Sequence, residues 1–351
     1  MMETVSVRTT KPYEVRIEKG LLAKTGEELY RLFPGARVML VSDDTVDSLY
    51  SPRVEASLFA AGVPFEKFVF PHGESSKCAN VWLSLLDYLA EKSFTRTDVL
   101  LALGGGVVGD LCGFAAATYL RGVSFIGLPT TLLAMVDSSV GGKTAIDLAA
   151  GKNLCGAFHQ PSLVLCDPDA LSTLPAETFA DGMAEVIKYG VIRDAELFSL
   201  LQDPDHLPLT EILRRSVDIK AKIVAEDEFD RGERKLLNFG HTAGHAIESH
   251  SAFTLSHGRS VAIGMMLAAR FAESRRLCTA EVPAAIENTL RLYNLPTESP
   301  FTADELLDTA LRDKKREGCT VDLVLPRNIG DCMLRRFPVE ELSAFLAGGV
   351  L

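Results

Sequence analysis

DVLLALGGGVVGD, residues 98–110, is the stretch on which the reading of the fold turns. After Asp98 comes an aliphatic run too short for a helix and closed by glycine, the pattern of a strand buried on both faces. Gly104, Gly106 and Gly109 then satisfy GxGxxG and lead into LCGFAAATYL, which reads as a helix. In that order the glycines let backbone approach a pyrophosphate, and the helix N-terminus offers it free N–H groups. A GxGxxG by itself is a weak signal, so the succession of elements around it carries the argument.

Working outward, residues 37–42 (RVMLVS), 64–70, 123–128 and 163–166 read as further strands, and residues 81–90 as a helix. Such alternation predicts an α/β domain with a largely parallel sheet. The strand at 123–128 ends in Pro129 and Thr130, where a ribose-binding carboxylate is absent. Asp43 or Asp44, at the end of an earlier strand, could take that part, so a dinucleotide would lie across several strand ends. After Pro175 helices dominate, at 177–191, 196–201, 209–225, 234–249, 257–276, 282–293 and 303–312. A short pair at 320–325 and 331–335, a hairpin or edge strands, and a last helix from 339 follow. The expected domains are therefore 1–175, α/β and dinucleotide-binding, and 176–351, mainly α-helical.

The 351 residues carry a net charge of −11, which argues against nucleic acid as the main partner, because phosphate-backbone affinity needs a basic surface. A small anion is still compatible, since a few local Lys and Arg outweigh the global sign. No run approaches the roughly 18 uncharged apolar residues of a membrane helix, and the start has no signal-peptide type of apolar core. The seven cysteines are scattered without a CxxC pair. That pattern suits free thiols in a reducing cytoplasm.

Three stretches hold candidate chemistry. Residues 130–160 gather Asp137, Lys143, Lys152 and Asn153 among glycines, either as a solvated loop or as catalytic groups at a sheet edge. LLNFGHTAGHAIESH, residues 236–250, places His241 and His245 four apart, so on a helix both project from one face as a metal-binding pair would. An isolated HxxxH is equally consistent with ordinary polar helix positions. AEVIKYG, residues 184–190, adds Glu185, three before Lys188, and a Glu with two His and open positions is a catalytic zinc arrangement. Arg234 and Asn238, four apart at the start of the histidine helix, are expected to face one site. With Lys143, Lys188, Lys220 and Lys314, Arg234 makes a set able to grip a phosphate and a carboxylate.

The blocks LALGGGVVGDLCGFAAATYLRG, LPTTLLAMVDSSVGGKTAID, GKNLCGAFHQP, LSTLP, GMAEVIKYG, LLNFGHTAGHAIE and DKK follow in the order found in 3-dehydroquinate synthases, and the chain resembles that family from about Tyr13 to its last helix. The resemblance implies a Rossmann-like N-terminal domain, a helical C-terminal domain, an active site in the cleft between them, a homodimer, NAD, and zinc with cobalt as the alternative ion. Members convert 3-deoxy-D-arabino-heptulosonate 7-phosphate into 3-dehydroquinate and phosphate by transient oxidation, phosphate elimination, reduction and intramolecular aldol closure. By the same resemblance the metal ligands are Glu185, His241 and His257, with His245 on the substrate side. This departs from the spacing argument, which paired His241 with His245. Asp137, Lys143, Asn153, Lys188, Lys220, Arg234, Asn238, Lys314 and Arg121 match positions near the substrate, with Lys315 the alternative to Lys314. Asp43, Gly73, Glu74, Lys77, Gly105, Gly106, Asp110, Thr130, Thr131, Lys143, Lys152 and Thr173 match positions along the NAD.

One departure stands beside a proposed ligand: Arg259 occupies a position where members commonly have Glu. Other sugar phosphate cyclases and the glycerol dehydrogenase type of alcohol dehydrogenase are the rival readings. The full set of Lys143, Lys188, Lys220, Arg234 and Asn238 favours a carboxylate-bearing heptulosonate phosphate over both.

Overall fold

The computed structural model describes residues 2–314 and 319–349, the side chains of residues 312–314 excepted. The chain divides into two compact units, residues 1–174 with 220–229, and residues 175–219 with 230–351.

In the first unit the strands are β1 (Glu3–Val7), β2 (Tyr13–Ile17), β3 (Val38–Asp43), β4 (Phe65–Phe70), β5 (Val99–Gly104), β6 (Ser124–Pro129), β7 (Lys143–Leu148), β8 (Gly151–Phe158) and β9 (Leu163–Cys166). The helices between them are α1 (Thr25–Leu32), α2 (Asp44–Ala60), α3 (Ala79–Glu91) and α4 (Gly106–Thr118). Seven strands form one sheet in the order β1-β2-β9-β6-β5-β3-β4, all neighbours parallel except the β1–β2 hairpin. The strands read as continuous aliphatic runs, β5 and β9, are buried at every position, as helices on both faces require. The chain leaves β3 outward to β4 and returns on the other side of β3 as β5. That reversal is a topological switch point, where a crevice opens beyond the carboxyl ends of the strands. Gly104 to Gly106 and Asp43 both stand there.

The glycine loop leads into α4 through Gly105, as the sequence predicts. Of the three glycines, however, Gly109 does not provide close packing: a Cβ there would meet nothing within 4 Å. The packing glycine is Gly113, whose Cβ would come within 2.4 Å of the Thr144 side chain on β7. Residues 130–160 are likewise no solvated loop. They form a π-helical turn at Ala134–Ser138 and the β7–β8 hairpin, which packs on α4 through Thr144 against Gly113. The N-terminal β1–β2 hairpin was not legible from residue pattern.

The second unit contains α5 (Ala176–Arg193), α6 (Ala195–Leu200), α8 (His241–His250), α9 (His257–Ser274), α10 (Glu281–Leu292), α11 (Ala303–Lys314), the antiparallel pair β10 (Thr320–Asn328) and β11 (Asp331–Pro338), and α12 (Glu341–Leu346). Between α6 and α8 runs α7 (Leu209–Glu226), whose residues up to 219 belong to this unit and whose residues from 220 belong to the first. Helices α5 and α9 are apolar around most of their girth and buried along most of their length, so they are the core of the unit. Small residues set the α8–α9 spacing. A Cβ on Gly264 would fall 1.9 Å from the Gly240 carbonyl oxygen, and one on Gly244 would lie 3.1 Å from the Val261 Cα.

The expected helix at 234–249 is broken. Residues Glu233–Asn238 form a 3-10 helix, and α8 starts only at His241, after Gly240 at φ 79. Periodicity runs on through this point, but a left-handed residue cannot continue a right-handed helix. Arg234 and Asn238 therefore do not share a face with each other or a helix with His241; Arg234 is buried and Asn238 exposed. Four residues along a 3-10 helix turn the side chain by about 480°, which separates the pair by about a third of a turn. Among the described residues no helix is long and apolar enough to cross a membrane.

Candidate metal centre and dinucleotide site

The candidate metal centre is assembled from three helices of the second unit. Glu185 and Lys188 are fully buried on α5, His241 is the first residue of α8, and His257 is the first residue of α9. Oε1 of Glu185 lies 3.5 Å from Nε2 of His241 and 3.6 Å from Nε2 of His257. Ligand atoms at about 2.1 Å from a tetrahedral zinc stand about 3.4 Å from one another, so these separations fit such an ion. The one ligand atom from each of the three residues falls within 4.8 Å of the others. Both imidazoles are anchored through the opposite nitrogen: Nδ1–H of His241 donates to the Phe239 carbonyl at 3.1 Å, and Nδ1–H of His257 donates to Oε2 of Glu248 at 3.2 Å. That tautomer leaves each Nε2 lone pair aimed at the ion's place.

Lys188 donates to the other oxygen of Glu185, Oε2. Burial holds His241 down at about 3, against the opposing charge of Glu185, so its ring is neutral and basic toward a metal at ordinary pH. Burial acts downward on His257 too, but hydrogen bonding and charge from Glu185 and Glu248 outweigh it and push His257 up to about 10. Without an ion, His257 carries the balancing positive charge. His245 stands edge-on to His241 at 5.3 Å and tilted to His257 at 6.1 Å between ring centroids.

The second site lies at the glycine loop between β5 and α4 of the first unit. Gly105, Asp110, Ser138, Lys143 and Thr144 line a cavity over an apolar floor that includes Phe125 and Val164. The Thr130 amide donates to the Gly104 carbonyl at 3.0 Å, while its buried hydroxyl has no hydrogen-bond partner among the described residues. Thr131 caps Ala134 at 3.1 Å, and a Cβ on Gly105 would sit 3.1 Å from the Thr131 methyl. Lys77 ties the rim together: its ammonium meets Asp110 at 2.5 Å and Asn153 Oδ1 at 2.6 Å. Burial pushes the Asp110 carboxyl up to about 6 against the pull of Lys77. Lys152 reaches Glu74 at 3.6 Å, and Gly73 at φ 100 holds a turn that a side chain would strain. Bare glycine backbone, an unsatisfied hydroxyl and open space over Gly109 suit a dinucleotide.

Asp43 is the side-chain cap of α2, accepting from the Val46 amide at 2.8 Å, and Asp44 is engaged by His72 at 2.7 Å. Thr173 hydrogen-bonds the Tyr50 hydroxyl. Lys220 donates to the Asp137 backbone oxygen at 2.6 Å and to its Oδ1 at 2.8 Å. Asn153 adopts φ 56, where asparagine is tolerated better than most residues. Arg121, at φ 67, is exposed at the other end of the sheet: it precedes β6, and the carbonyl of its neighbour Leu120 accepts from Arg96, just before β5. The Lys314 side chain and all of Lys315 lie outside the described residues. Residue pattern missed Glu248, although it stands within the histidine block itself.

Residues 67–181 match the family described as 3-dehydroquinate synthase N-terminal, and residues 182–316 match 3-dehydroquinate synthase C-terminal. The 3-dehydroquinate synthase of Streptococcus suis (strain 05ZYH33) is 42% identical over 359 aligned positions, covering 99% of this chain and 99% of that protein. The solved structure of 2-epi-5-epi-valiolone synthase from Streptomyces hygroscopicus subsp. jinggangensis 5008 with NAD+ and Zn2+ bound is similar at a TM-score of 0.86 and 32% identity, over 97% of this chain and 98% of that one. 2-deoxy-scyllo-inosose synthase complexed with carbaglucose-6-phosphate, NAD+ and Co2+ gives a TM-score of 0.86 at 23% identity, over 99% and 100% of the two chains, a likeness of fold.

Proposed function

The chain belongs to the 3-dehydroquinate synthase family, and on that premise we propose how its own residues carry the family's reaction, the conversion of 3-deoxy-D-arabino-heptulosonate 7-phosphate into 3-dehydroquinate and phosphate. The observation that carries the reading is the Glu185 carboxylate facing two imidazoles at 3.5 and 3.6 Å, each imidazole oriented through its far nitrogen.

Glu185, His241 and His257 hold zinc, or cobalt in its place. Thr130, Thr131, Gly105, Gly106, Asp110, Lys77, Glu74, Gly73, Lys152, Asp43 and Thr173 bind NAD, with Lys143 at the border with substrate. When bound, the metal supplies Lewis-acid stabilisation of charge on a substrate oxygen, and NAD supplies a transient hydride acceptor. Lys188, Arg234, Asn238, Lys143, Asn153, Asp137 and Lys220 hold the flexible substrate in reactive orientation, which converts improbable collisions into an intramolecular sequence. His245 moves a proton beside the metal ligands. Lys314 is assigned to the substrate on the resemblance alone.

A homodimer belongs to the same proposal. Arg121 precedes β6, whose six residues span about 20 Å between it and the carboxyl ends where the dinucleotide residues stand. An arginine so placed reaches a substrate only in another copy's site. The free cysteines support a reducing cytoplasm as the place of action.

The experiment that tests the reading incubates the zinc-loaded protein with the heptulosonate phosphate and catalytic NAD, following phosphate and absorbance of NADH. Phosphate release with no net NADH is the expected result. Steady NADH accumulation without phosphate would overturn it in favour of a dehydrogenase.

A further inference from the structure

Asp181 and Glu185 are four residues apart on α5 and project from the same face, one turn from each other. Glu185 faces the two imidazoles. Asp181 Oδ1 accepts hydrogen bonds from the Ser256 hydroxyl at 2.5 Å and from the Arg259 amide at 3.2 Å. His257 lies between those two donors.

The start of α9 explains why this contact matters. Ser256 occupies the N-cap position but makes no side-chain cap bond, and the first turn of α9 holds no acidic residue. A helix N-terminus leaves its first amides without intrahelical partners. Here one of them is satisfied from another helix, and the serine that would ordinarily cap it donates to the same carboxylate. The backbones also touch at this point: a Cβ on Gly258 would fall 2.4 Å from the Cα and carbonyl oxygen of Asp181. Only glycine admits that approach. His257 is thereby placed from two sides: Asp181 on α5 holds the flanking Ser256 and Arg259 of its turn, and Glu248 on α8 holds its ring.

We propose that Asp181 is a positioning residue of the metal centre, holding the first turn of α9 against α5 so that His257 meets the ion together with Glu185; the inference rests on the metal-ligand assignment above. Metal–ligand distances tolerate only about 0.2 Å of error, so a first turn released from α5 costs affinity even when the fold survives. Groups that orient ligands in this way typically contribute about 10–100-fold in metal affinity.

The test measures zinc affinity by chelator competition on folded protein, with thermal unfolding recorded in parallel. Asp181→Ala is expected to weaken zinc at least about tenfold, and Asp181→Asn, which keeps an acceptor oxygen, to recover most of that loss. Ser256→Ala, which removes one of the two donors, is expected to show a smaller loss and serves as the reading if Asp181→Ala does not fold. A lowered Tm with wild-type zinc affinity in Asp181→Ala, or unchanged affinity in Ser256→Ala where Asp181→Ala fails to fold, overturns the proposal. His257→Ala separates the two levels of inference. If it binds zinc as the wild type does, the ligand assignment itself fails. If it loses zinc while Asp181→Ala keeps it, only the positioning role of Asp181 fails.

Discussion

Lys188 donates to one oxygen of Glu185 while the other oxygen of that carboxylate faces His241 and His257, so one buried acid is shared between a cation of the chain and two imidazoles. Both residues are fully buried, where a charge is tolerated only beside its counter-charge.

Lys188→Met keeps most of the volume and removes that charge. Breaking a buried pair from one side costs about 3 kcal/mol or more, so thermal unfolding should shift down. Zinc affinity should hold or rise, because an adjacent positive charge opposes a cation. Phosphate release should fall at least about 100-fold if the ammonium also grips substrate. A variant with lowered Tm but full activity would reduce Lys188 to a structural role.

The two histidines of HTAGH should separate by metal content. His241→Ala is expected to lose both zinc and activity, and His245→Ala to keep zinc measured by metal analysis while losing activity. Retention of zinc by His241→Ala together with its loss from His245→Ala would restore the other assignment.

Zinc binding should expel a proton. In the ion-free protein His257 is protonated up to about pH 10, whereas His241 is neutral above about pH 3. A metal takes only the neutral imidazole, so about one proton leaves His257 per ion across the neutral range, and affinity rises with pH. The stability contribution of the raised group has the opposite course: it is fully present below the unfolded value near 6.5 and is lost as pH rises through about 10. Calorimetry of zinc binding in buffers of different ionisation enthalpy counts the proton; a count near zero at pH 7 would contradict this charge arrangement.

Gly109→Ala tests the glycine loop by setting stability against function. Gly109 lies inside α4 with open space over its Cα. Alanine there should stabilise the helix by up to about 1 kcal/mol, raising Tm slightly. NAD, whose backbone approach the missing side chain permits, should bind about tenfold more weakly or worse. Unchanged NAD affinity by titration would mean that the dinucleotide does not pass over Gly109.

The strand, the glycine turn and the helix of residues 98–110 were determined by the sequence itself, because burial on both faces, backbone freedom and helix initiation are local properties. So was the shared face of Glu185 and Lys188, since three residues of helix bring two side chains together wherever the helix lies. Local periodicity failed where one backbone angle overrode it. Gly240 at φ 79 ends a 3-10 turn and begins α8, which no hydrophobic pattern announces. Motif resemblance supplied the partnership of His241 with His257 as an expectation, but its geometry came from elsewhere. It depends on two helices meeting closely at Gly240, Gly244 and Gly264, at the first and last of these closer than a side chain would allow. Tertiary structure alone decided that Asp137 accepts from Lys220, 83 residues on, that Glu248 orients His257, and that Asp181 holds the turn His257 stands on. The first and last join residues 83 and 75 apart, and the second crosses from α8 to α9; packing between elements, not the preference of any one segment, determines which of these side chains meet.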